Sequence, residues 1–350
     1  MMIYSGMEFV KENIMTVNGS RLIAENRRVE IEEFEYDTPG PGQVLIRVNK
    51  SQISAGSEKN GIVGAPKDKR FPLGYITVGT VLESGQGMES FKVGDRVFAF
   101  GNHGTHWVTE TEELFDDPIY IQHITRDISD EQAAMSRLGD VALLAIRKAE
   151  LQIDEKVAVF GVGVVGQLIV SFARLSGAYP IIAIDLDKSR LELAKISGAT
   201  HTIDAGRDDA PEIVKELTNG GAQTVIHANR DPDVLDDCMR AAANRGKVIL
   251  AGSAPGKAKI GLQVDLMRRS LDIRGVGDPY RLHRYHRFST YPWSQMRDRE
   301  AIMRMIESDD LNVDHLISHV SNPEDAGDLY QQILDGTQGW MGIFFDWTVV

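Results

Sequence analysis

The sequence lacks several features that particular classes of protein require. Cys238 is the only cysteine among 350 residues, which excludes an intramolecular disulfide and a zinc site built on cysteines. There is no run of about 18 apolar residues, so no membrane-spanning helix is predicted. The first residues carry the charges of Glu8, Lys11 and Glu12 and lack a continuous apolar segment. We therefore expect no signal peptide and a cytoplasmic location.

The chain also has few basic residues relative to acidic ones. Its 51 aspartate and glutamate residues outnumber its 38 lysine and arginine residues, which gives a formal net charge of −13. Nucleic acids and anionic membranes attract basic surfaces, so this balance argues against both as partners. The composition is that of a globular protein, and the length suits about two domains. We expect a small-molecule substrate as the partner.

The hydrophobic pattern divides the chain into three zones. Up to residue 127, short alternating apolar runs are broken by Gly, Pro and Asp, which is typical of an all-β, partly closed sheet. From 128 to 279, strand-like and helical patterns alternate, which predicts a doubly wound parallel sheet of six strands. The third zone contains a helical stretch at Arg299–Ile306 and a β-like run at Gly342–Trp347. The predicted fold class is therefore α/β, and we expect the final run to return to the first domain.

The middle zone contains a glycine-rich turn between a predicted strand, Lys156–Phe160, and a predicted helix, Val164–Ser176. Glycines at this spacing allow a tight turn, a close backbone approach to a pyrophosphate, and close packing of the helix on the sheet. The positive helix N-terminus then points at the phosphates. A glycine turn that binds no nucleotide is the alternative. The predicted cofactor-binding residues of the turn are Gly161, Gly163, Val164, Val165 and Gly166.

An acidic residue ends the next predicted strand, 19 residues after the last glycine of the turn. The carboxylate of Asp185 is suited to accept hydrogen bonds from the adenosine ribose and to repel a 2′-phosphate, so the motif favours NAD over NADP. Arg190 is predicted along the adenine, with a plain surface charge as the alternative. Further cofactor contacts are expected where later strands end, because ligands bind at the carboxyl ends of strands in such sheets. These candidates are Asn229, Gly252, Ser253 and Gly275.

The order of these motifs resembles the medium-chain dehydrogenase/reductase superfamily, and the resemblance covers nearly the whole chain. It is carried by Pro39–Ile46, Val93–Val97 and Ala133–Gly166, with the dinucleotide motif placed behind a β-rich domain. The resemblance implies a GroES-like catalytic domain at 1–127 and a Rossmann NAD-binding domain at 128–279. It also implies a C-terminal segment at 280–350 that returns to the catalytic domain, and a substrate cleft between the two domains.

At the positions where zinc alcohol dehydrogenases of this superfamily hold their metal, this sequence has other residues. The family's Cys-Gly-Thr/Ser-Asp segment reads Ala55-Gly56-Ser57-Glu58, its Gly-His-Glu segment reads Gly74-Tyr75-Ile76, and the third ligand falls near Leu138. A catalytic zinc needs about three N, S or O ligands from the protein, so we expect no metal site. These segments resemble a zinc-lacking branch that includes hydroxyethyl bacteriochlorophyllide dehydrogenases and dehydrogenase modules associated with sugar oxidoreductases.

Without zinc, side chains must supply a base and hydrogen-bond donors for alcohol oxidation. The resemblance places Tyr75 in the cleft, as a pocket residue or as the acid/base, and Ser57 at the family's proton-relay hydroxyl. Glu58 matches an acid that orients the histidine missing here. Its alternatives are a contact with substrate, a pair with Lys59, or an internal salt bridge. Lys59 is the fourth catalytic candidate, with a solvated charge as the alternative.

Several histidines and aromatic residues have open roles. His103 and His106 could bind a metal only with partners from elsewhere, and for His106 we favour a structural or substrate-facing role. For His283 and His286 we favour a surface or interface position. The residues expected to define the substrate lie in the third zone and are Tyr280, His283, Arg284, Tyr285 and Trp293.

The leading functional hypothesis is a zinc-independent, NAD-dependent dehydrogenase that oxidises a secondary alcohol of a sugar, cyclitol or other polyol. One alternative is a zinc-free enoyl or quinone reductase, a class that usually prefers NADPH and carries an Asn-Tyr or Asn-Pro turn where this chain has Ile53-Ser54-Ala55. Another is a nucleotide-binding relative without catalysis. By analogy with the family, the edge strand near Leu271–Gly275 is expected to pair across a two-fold axis in a homodimer.

Overall fold

The computed structural model describes residues 16–109, 121–277, 293–336 and 339–350. Within these ranges the strands are β1 Thr16–Glu25, β2 Arg28–Asp37, β3 Val44–Ile53, β4 Phe71–Pro72, β5 Thr77–Ser84, β6 Arg96–Ala99, β7 His106–Val108, β8 Ile121–His123, β9 Val157–Phe160, β10 Ile181–Asp185, β11 His201–Asp204, β12 Ala222–His227, β13 Ala242–Leu250, β14 Asp272–Gly275, β15 Ile317–Ser321 and β16 Gly342–Asp346. The α-helices are α1 Ala55–Gly64, α2 Asp130–Ala149, α3 Val164–Leu175, α4 Lys188–Ser197, α5 Ala210–Thr218, α6 Val234–Ala241, α7 Gln295–Glu307 and α8 Ala326–Asp335. The fold is α/β, with a β-rich part and a parallel sheet, as predicted.

The β-rich part contains a small sheet and a larger one. The small sheet has the order β2-β1-β4, and the larger one has the order β15-β16-β3-β5-β6-β8, with β7 also paired to β3. β3 is central because it pairs with β16, β5 and β7. It contributes to two cores, with Val44 and Ile46 in one and Val48 and Ile53 in the other. Antiparallel pairing of β16 with β3 sets Ile343 opposite Ile53. This pairing confirms that the C-terminal run returns to the first zone.

The first zone was predicted to be all-β, and this prediction is wrong. A helix, α1, lies between β3 and β4. Glycines 56, 61 and 64 lower the intrinsic helix propensity of this segment, so its sequence does not show a clear helical pattern. Tertiary contacts stabilise it instead, since Glu58 and Ile62 are buried against the β-rich core.

The parallel sheet has six strands, as predicted for the middle zone. Their order is β11-β10-β9-β12-β13-β14. Its central strand β9 is fully buried, and α3 to α6 connect the five strands from β9 to β13 along the chain. The strand order reverses between β9 and β12, and ligands bind at this point in open α/β sheets. The glycine turn follows β9, so it lies at this reversal.

The long helix α2 joins the two parts of the fold. Ser129 and Gln132 form a capping box at its start, which satisfies two backbone N–H groups. Its small buried residues pack in one core with Ile76 and Phe98 of the β-rich part and with Val159 of β9.

None of the helices in the described ranges is long and apolar enough to cross a membrane. The predicted domain boundaries themselves stay a prediction.

Candidate active site

The glycine turn adopts a backbone that side chains would not allow. Gly161 follows β9 with a φ of +91°, in the left-handed region that favours glycine. A Cβ on Gly166 would lie 2.0 Å from the carbonyl oxygen of Gly161, so the start of α3 packs directly on the turn. Gly163 is the N-cap of α3 and offers no side-chain cap. The first N–H groups of a 12-residue helix are therefore open to an anion at this edge of the sheet.

Asp185 lies beside this turn at the end of β10, and backbone hydrogen bonds fix its orientation. Its Oδ2 accepts a hydrogen bond from the Val162 N–H at 2.8 Å, and its Oδ1 accepts one from the Asp187 N–H at 3.0 Å. Arg190 lies nearby, with Nη1 4.0 Å from the position of a Cβ on Gly163. The structure thus brings Asp185 and Arg190 to the turn, as the proposed nucleotide site needs.

The other cofactor candidates lie where β12, β13 and β14 end. The backbone of Asn229 approaches both Gly161 and Gly252, because a Cβ on Gly252 would lie 2.0 Å from the Asn229 carbonyl oxygen. Ser253 is exposed next to Gly252. Gly275 pairs with Leu250 at the ends of β14 and β13. The cofactor roles of these residues stay predictions.

Tyr75 forms a hydrogen bond with a residue that was not among the predicted site residues. Its hydroxyl donates a hydrogen bond to Ser54 Oγ at 2.8 Å, and Ser54 is buried. Ser54 precedes the Ala55–Glu58 segment by one residue, and this adjacency was the signal that could have found it. The turn before Tyr75 is tight, because Gly74 has a φ of +90° and a Cβ on it would lie 2.7 Å from the His103 ring.

A cation adjoins the Tyr75 ring. The Arg137 guanidinium carbon lies 5.4 Å from the ring centroid of Tyr75 and 5.3 Å from that of Phe100. Arg137 lies one residue before Leu138, in the segment that resembles the family's third ligand position. Arg137 was not among the predicted site residues, because one arginine in a helix carries no signal of its own. The structure therefore assembles Ser54, Tyr75 and Arg137 from three separate segments.

Glu58 does not pair with Lys59, which corrects one of the alternatives. The Glu58 side chain faces the β-rich core, where Oε1 accepts from the Ser54 N–H at 2.7 Å and Oε2 lies 3.2 Å from His103 Nε2. The Tyr330 hydroxyl of α8 donates to the same Oε2. Glu58 therefore does orient a histidine, but one that comes from the loop before β7.

The electrostatics of this cluster follow from its burial. Burial alone raises the pKa of Glu58, but the charge and hydrogen bond of His103, together with Tyr330 and Ser54, outweigh it and lower that pKa. Burial and the Glu58 charge raise the pKa of Tyr330 well above its ordinary value, so it remains a hydroxyl donor. The cluster is a closed hydrogen-bonded network inside the β-rich part.

The remaining catalytic candidates have other surroundings. Ser57 is exposed on the first turn of α1. The Lys59 ammonium donates hydrogen bonds to the carbonyl oxygens of Ile333 and Leu334 at 3.1 and 2.7 Å. These carbonyls end α8, where a positive charge is favourable. Lys59 thus has a structural partner in place of a solvated position, and the catalytic roles of Ser57, Glu58 and Lys59 stay predictions.

The histidines of the first zone are bound by neighbouring side chains. His103 is buried, with Nδ1 2.6 Å from Ser51 Oγ. His106 is half-buried beside the Tyr36 ring, and burial, aided by the charge of Arg47, lowers its pKa. Across the described ranges, no group of three or more His, Cys, Asp or Glu side chains could hold a metal ion.

The third-zone candidates fall mostly outside the described residues. Trp293 is described, and its ring lies between two guanidinium groups, with the Arg147 carbon at 3.4 Å and the Arg297 carbon at 4.4 Å from its centroid. The candidates Tyr280, His283, Arg284, Tyr285 and His286 lie outside the described residues. Their roles stay predictions.

Comparisons with known proteins agree with this arrangement. The zinc-binding dehydrogenase family matches residues 164–288. (R,R)-butanediol dehydrogenase of Bacillus subtilis is 27% identical, in a match that covers 71% of this chain and 81% of the relative. Sorbitol dehydrogenase of the same organism is 29% identical, in a match that covers 71% of this chain and 79% of the relative. The crystal structure of 2R,3R-butanediol dehydrogenase from Bacillus subtilis shares the fold, with a TM-score of 0.77, 20% identity, and coverage of 94% of this chain and 99% of that one. In sequence, this chain is therefore similar to zinc-type alcohol dehydrogenase-like oxidoreductases of the medium-chain dehydrogenase/reductase superfamily, and it shares their fold.

Proposed function

We propose that this chain is a zinc-independent, NAD(H)-dependent dehydrogenase that oxidises a secondary alcohol of a sugar, cyclitol or other polyol to the ketone. The observation that carries the proposal is the hydrogen-bonded hydroxyl pair of Tyr75 and Ser54, with the Arg137 guanidinium beside the Tyr75 ring. Two relatives named as butanediol and sorbitol dehydrogenases support the substrate class.

The donor set at the family's metal positions does not fit a zinc ion. Ala55 has a methyl group, the hydroxyl of Tyr75 is bonded to Ser54, and Leu138 has an alkyl chain. A catalytic zinc needs about three N, S or O ligands from the protein. Proton transfer and charge stabilisation at the carbinol oxygen are therefore assigned to side chains.

The residues around the glycine turn fit a nicotinamide dinucleotide. At Gly163 a Cβ would meet only Arg190 Nη1 at 4.0 Å, so the backbone there is open to a ligand, and the N–H groups at the start of α3 are donors for a pyrophosphate. The Asp185 carboxylate, held by the Val162 and Asp187 N–H groups, retains acceptor capacity for ribose hydroxyls and would repel a 2′-phosphate. This supports NAD as the cofactor. The bound nicotinamide would accept the hydride from the carbinol carbon.

The chain's own residues would handle the proton. Tyr75 Oη is the group proposed to exchange a proton with the carbinol oxygen, and Ser54 Oγ, 2.8 Å away, is the next oxygen of the relay. The positive charge of Arg137 favours negative charge developing on either oxygen. Exposed Ser57 is then left as the hydroxyl nearest solvent on the same helix end.

The test is the removal of the Tyr75 hydroxyl. A Tyr75→Phe variant should lose about 10²- to 10⁴-fold in kcat, the usual contribution of a general acid/base. Its affinity for NADH, measured by fluorescence titration, should not change, because Tyr75 is not part of the glycine turn. Tyr179→Phe is the matched control, since Tyr179 is 61% exposed. Wild-type kcat/KM in the Tyr75→Phe variant would refute the assignment.

A substrate screen separates this proposal from the enoyl or quinone reductase alternative. Polyols, sugars and secondary alcohols are offered with NAD, and enones and quinones with NADH and NADPH. Oxidation of alcohols supports the proposal, and turnover of enones alone overturns it.

We also propose a homodimer, because β14 is an edge strand of the described parallel sheet. Light scattering tests the dimer independently.

A further inference from the structure

Arg137 is held at a defined position beside the proposed acid/base. It lies on the third turn of α2, in contact with the rings of Tyr75 and Phe100. Its Nη1 donates a hydrogen bond to Asp140 Oδ1 at 2.8 Å, one helical turn further along. The Arg137 side chain is 16% exposed. It is therefore ordered by its neighbours but still reached by solvent.

The carboxylate that pairs with Arg137 is shared with a second arginine. Asp140 Oδ2 lies 3.4 Å from Nη1 of Arg299, and the side chains of both Asp140 and Arg299 are 1% exposed. The Asp140 carboxylate therefore contacts both guanidinium groups. Burial strengthens electrostatic interactions because the local dielectric constant is low. The pairing with Asp140 therefore holds the Arg137 guanidinium beside the Tyr75 ring.

One polar atom of Arg137 also lacks a hydrogen bond. In the described part of the chain, its Nε is buried and has no hydrogen-bond partner. A buried donor without a partner is unfavourable by about 1–3 kcal/mol, so a ligand that supplies an acceptor there would bind well. A guanidinium presents neighbouring N–H groups in a plane that matches a carboxylate or phosphate.

We propose that Arg137 binds an anionic group of the alcohol substrate, a carboxylate or a phosphate, and so selects for acidic polyols or sugars over neutral ones. This inference rests on the proposed function, because it takes the substrate to lie against Tyr75. A hydride transfer to the nicotinamide leaves the anionic group unchanged. The anionic group then orients the carbinol toward Tyr75 Oη.

The experiment compares alcohols that differ in one charged group. Sorbitol, gluconate and sorbitol 6-phosphate are assayed with NAD, so that the neutral, carboxylate and phosphate arms share a polyol chain. One anionic arm should exceed sorbitol at least tenfold in kcat/KM, and the stronger arm identifies the source of the charge. Arg137→Met should abolish this advantage by raising KM for the anionic compound only, while the lost charge beside Tyr75 should lower kcat for all three compounds. Arg137→Lys should restore part of both. Arg126→Met is the control, because Arg126 pairs with Glu300 and Glu307 instead.

A binding measurement keeps the test decisive if none of these polyols is turned over. The three compounds are titrated calorimetrically into the complex with NADH, using the wild type and both Arg137 variants. Tighter binding of an anionic compound, lost in Arg137→Met, supports the inference. Equal binding of all three, or an unchanged preference in Arg137→Met, overturns it. Failure of the proposed function is a separate result: the wild type oxidises no alcohol of any charge with NAD.

Discussion

Replacement of Glu58 tests the buried network that supports the candidate active site. In Glu58→Ala, three donors lose their acceptor: the Ser54 N–H, the His103 ring and the Tyr330 hydroxyl. Removing one partner of a buried charged pair costs about 3–5 kcal/mol, and each unsatisfied buried donor about 1–3 kcal/mol. Because these penalties overlap, we expect the free energy of unfolding to fall by about 4 kcal/mol. Glu58→Gln keeps the shape and should cost less.

The assay is urea denaturation followed by tryptophan fluorescence and circular dichroism. Trp347 donates a hydrogen bond to Ser51, which also contacts His103, so its emission reports on this region. The matched control is Glu192→Ala on α4, whose side chain is 70% exposed and should contribute within about 0.5 kcal/mol. A Glu58→Ala protein within about 1 kcal/mol of the wild type would refute the reasoning, since the smallest penalty of one unsatisfied donor is of that size.

The remaining predictions concern pH, the cofactor site and metal. The fold lowers the pKa of Glu58 from 4.5, so the contribution of Glu58 to the free energy of unfolding is present above that value and is lost as pH falls through the folded pKa. Glu58→Gln should therefore reduce the loss of unfolding free energy at acid pH. An equal acid loss in the wild type and the variant would contradict this. Asp185→Ser should raise the ratio of NADPH to NADH affinity at least about tenfold, or 1.4 kcal/mol, in fluorescence titrations, and tighter binding of NADPH by the wild type would contradict the NAD assignment. Gly166→Ala places a Cβ 2.0 Å from the Gly161 carbonyl oxygen and should weaken NADH binding, whereas Gly64→Ala, with no atom within 4 Å, should not. Elemental analysis should find no stoichiometric zinc, and 1,10-phenanthroline should leave kcat unchanged; loss of activity would refute zinc independence.

Features that depend on local pattern were predictable from the sequence. The six parallel strands lie near the positions that the apolar runs and helical patterns indicate, whereas their order in the sheet was not predicted. The glycine turn lies at the reversal of that order. The return of β16 to β3 was also expected. The helix α1 was missed, because its glycines conceal it and burial of Ile62 stabilises it. Local propensity does not report such tertiary stabilisation.

In the candidate site, one residue was predictable from the sequence and its partners were not. The resemblance to the family led to Tyr75, because that residue replaces a histidine in a recognisable segment. Its partner Ser54 and the cation of Arg137 come from segments 21 and 62 residues away. The backbone hydrogen bond from the Gln52 N–H to the Ile76 carbonyl joins the segments of Ser54 and Tyr75, and the packing of α2 on the β-rich part adds Arg137. Glu58 was expected to lack a histidine, but the loop before β7 supplies His103.

The sequence by itself determined the dinucleotide turn and the absence of the usual zinc ligands. Both depend on residue type at fixed short spacing: glycines where a Cβ would clash, and Ala55 or Tyr75 where a thiolate or an imidazole is needed. The tertiary structure decided how charge and hydrogen bonds are paired around the cleft. Asp140 is shared between Arg137 and Arg299, and Glu58 is enclosed by α8. Such pairings join residues far apart in the chain, so only the folded core determines them.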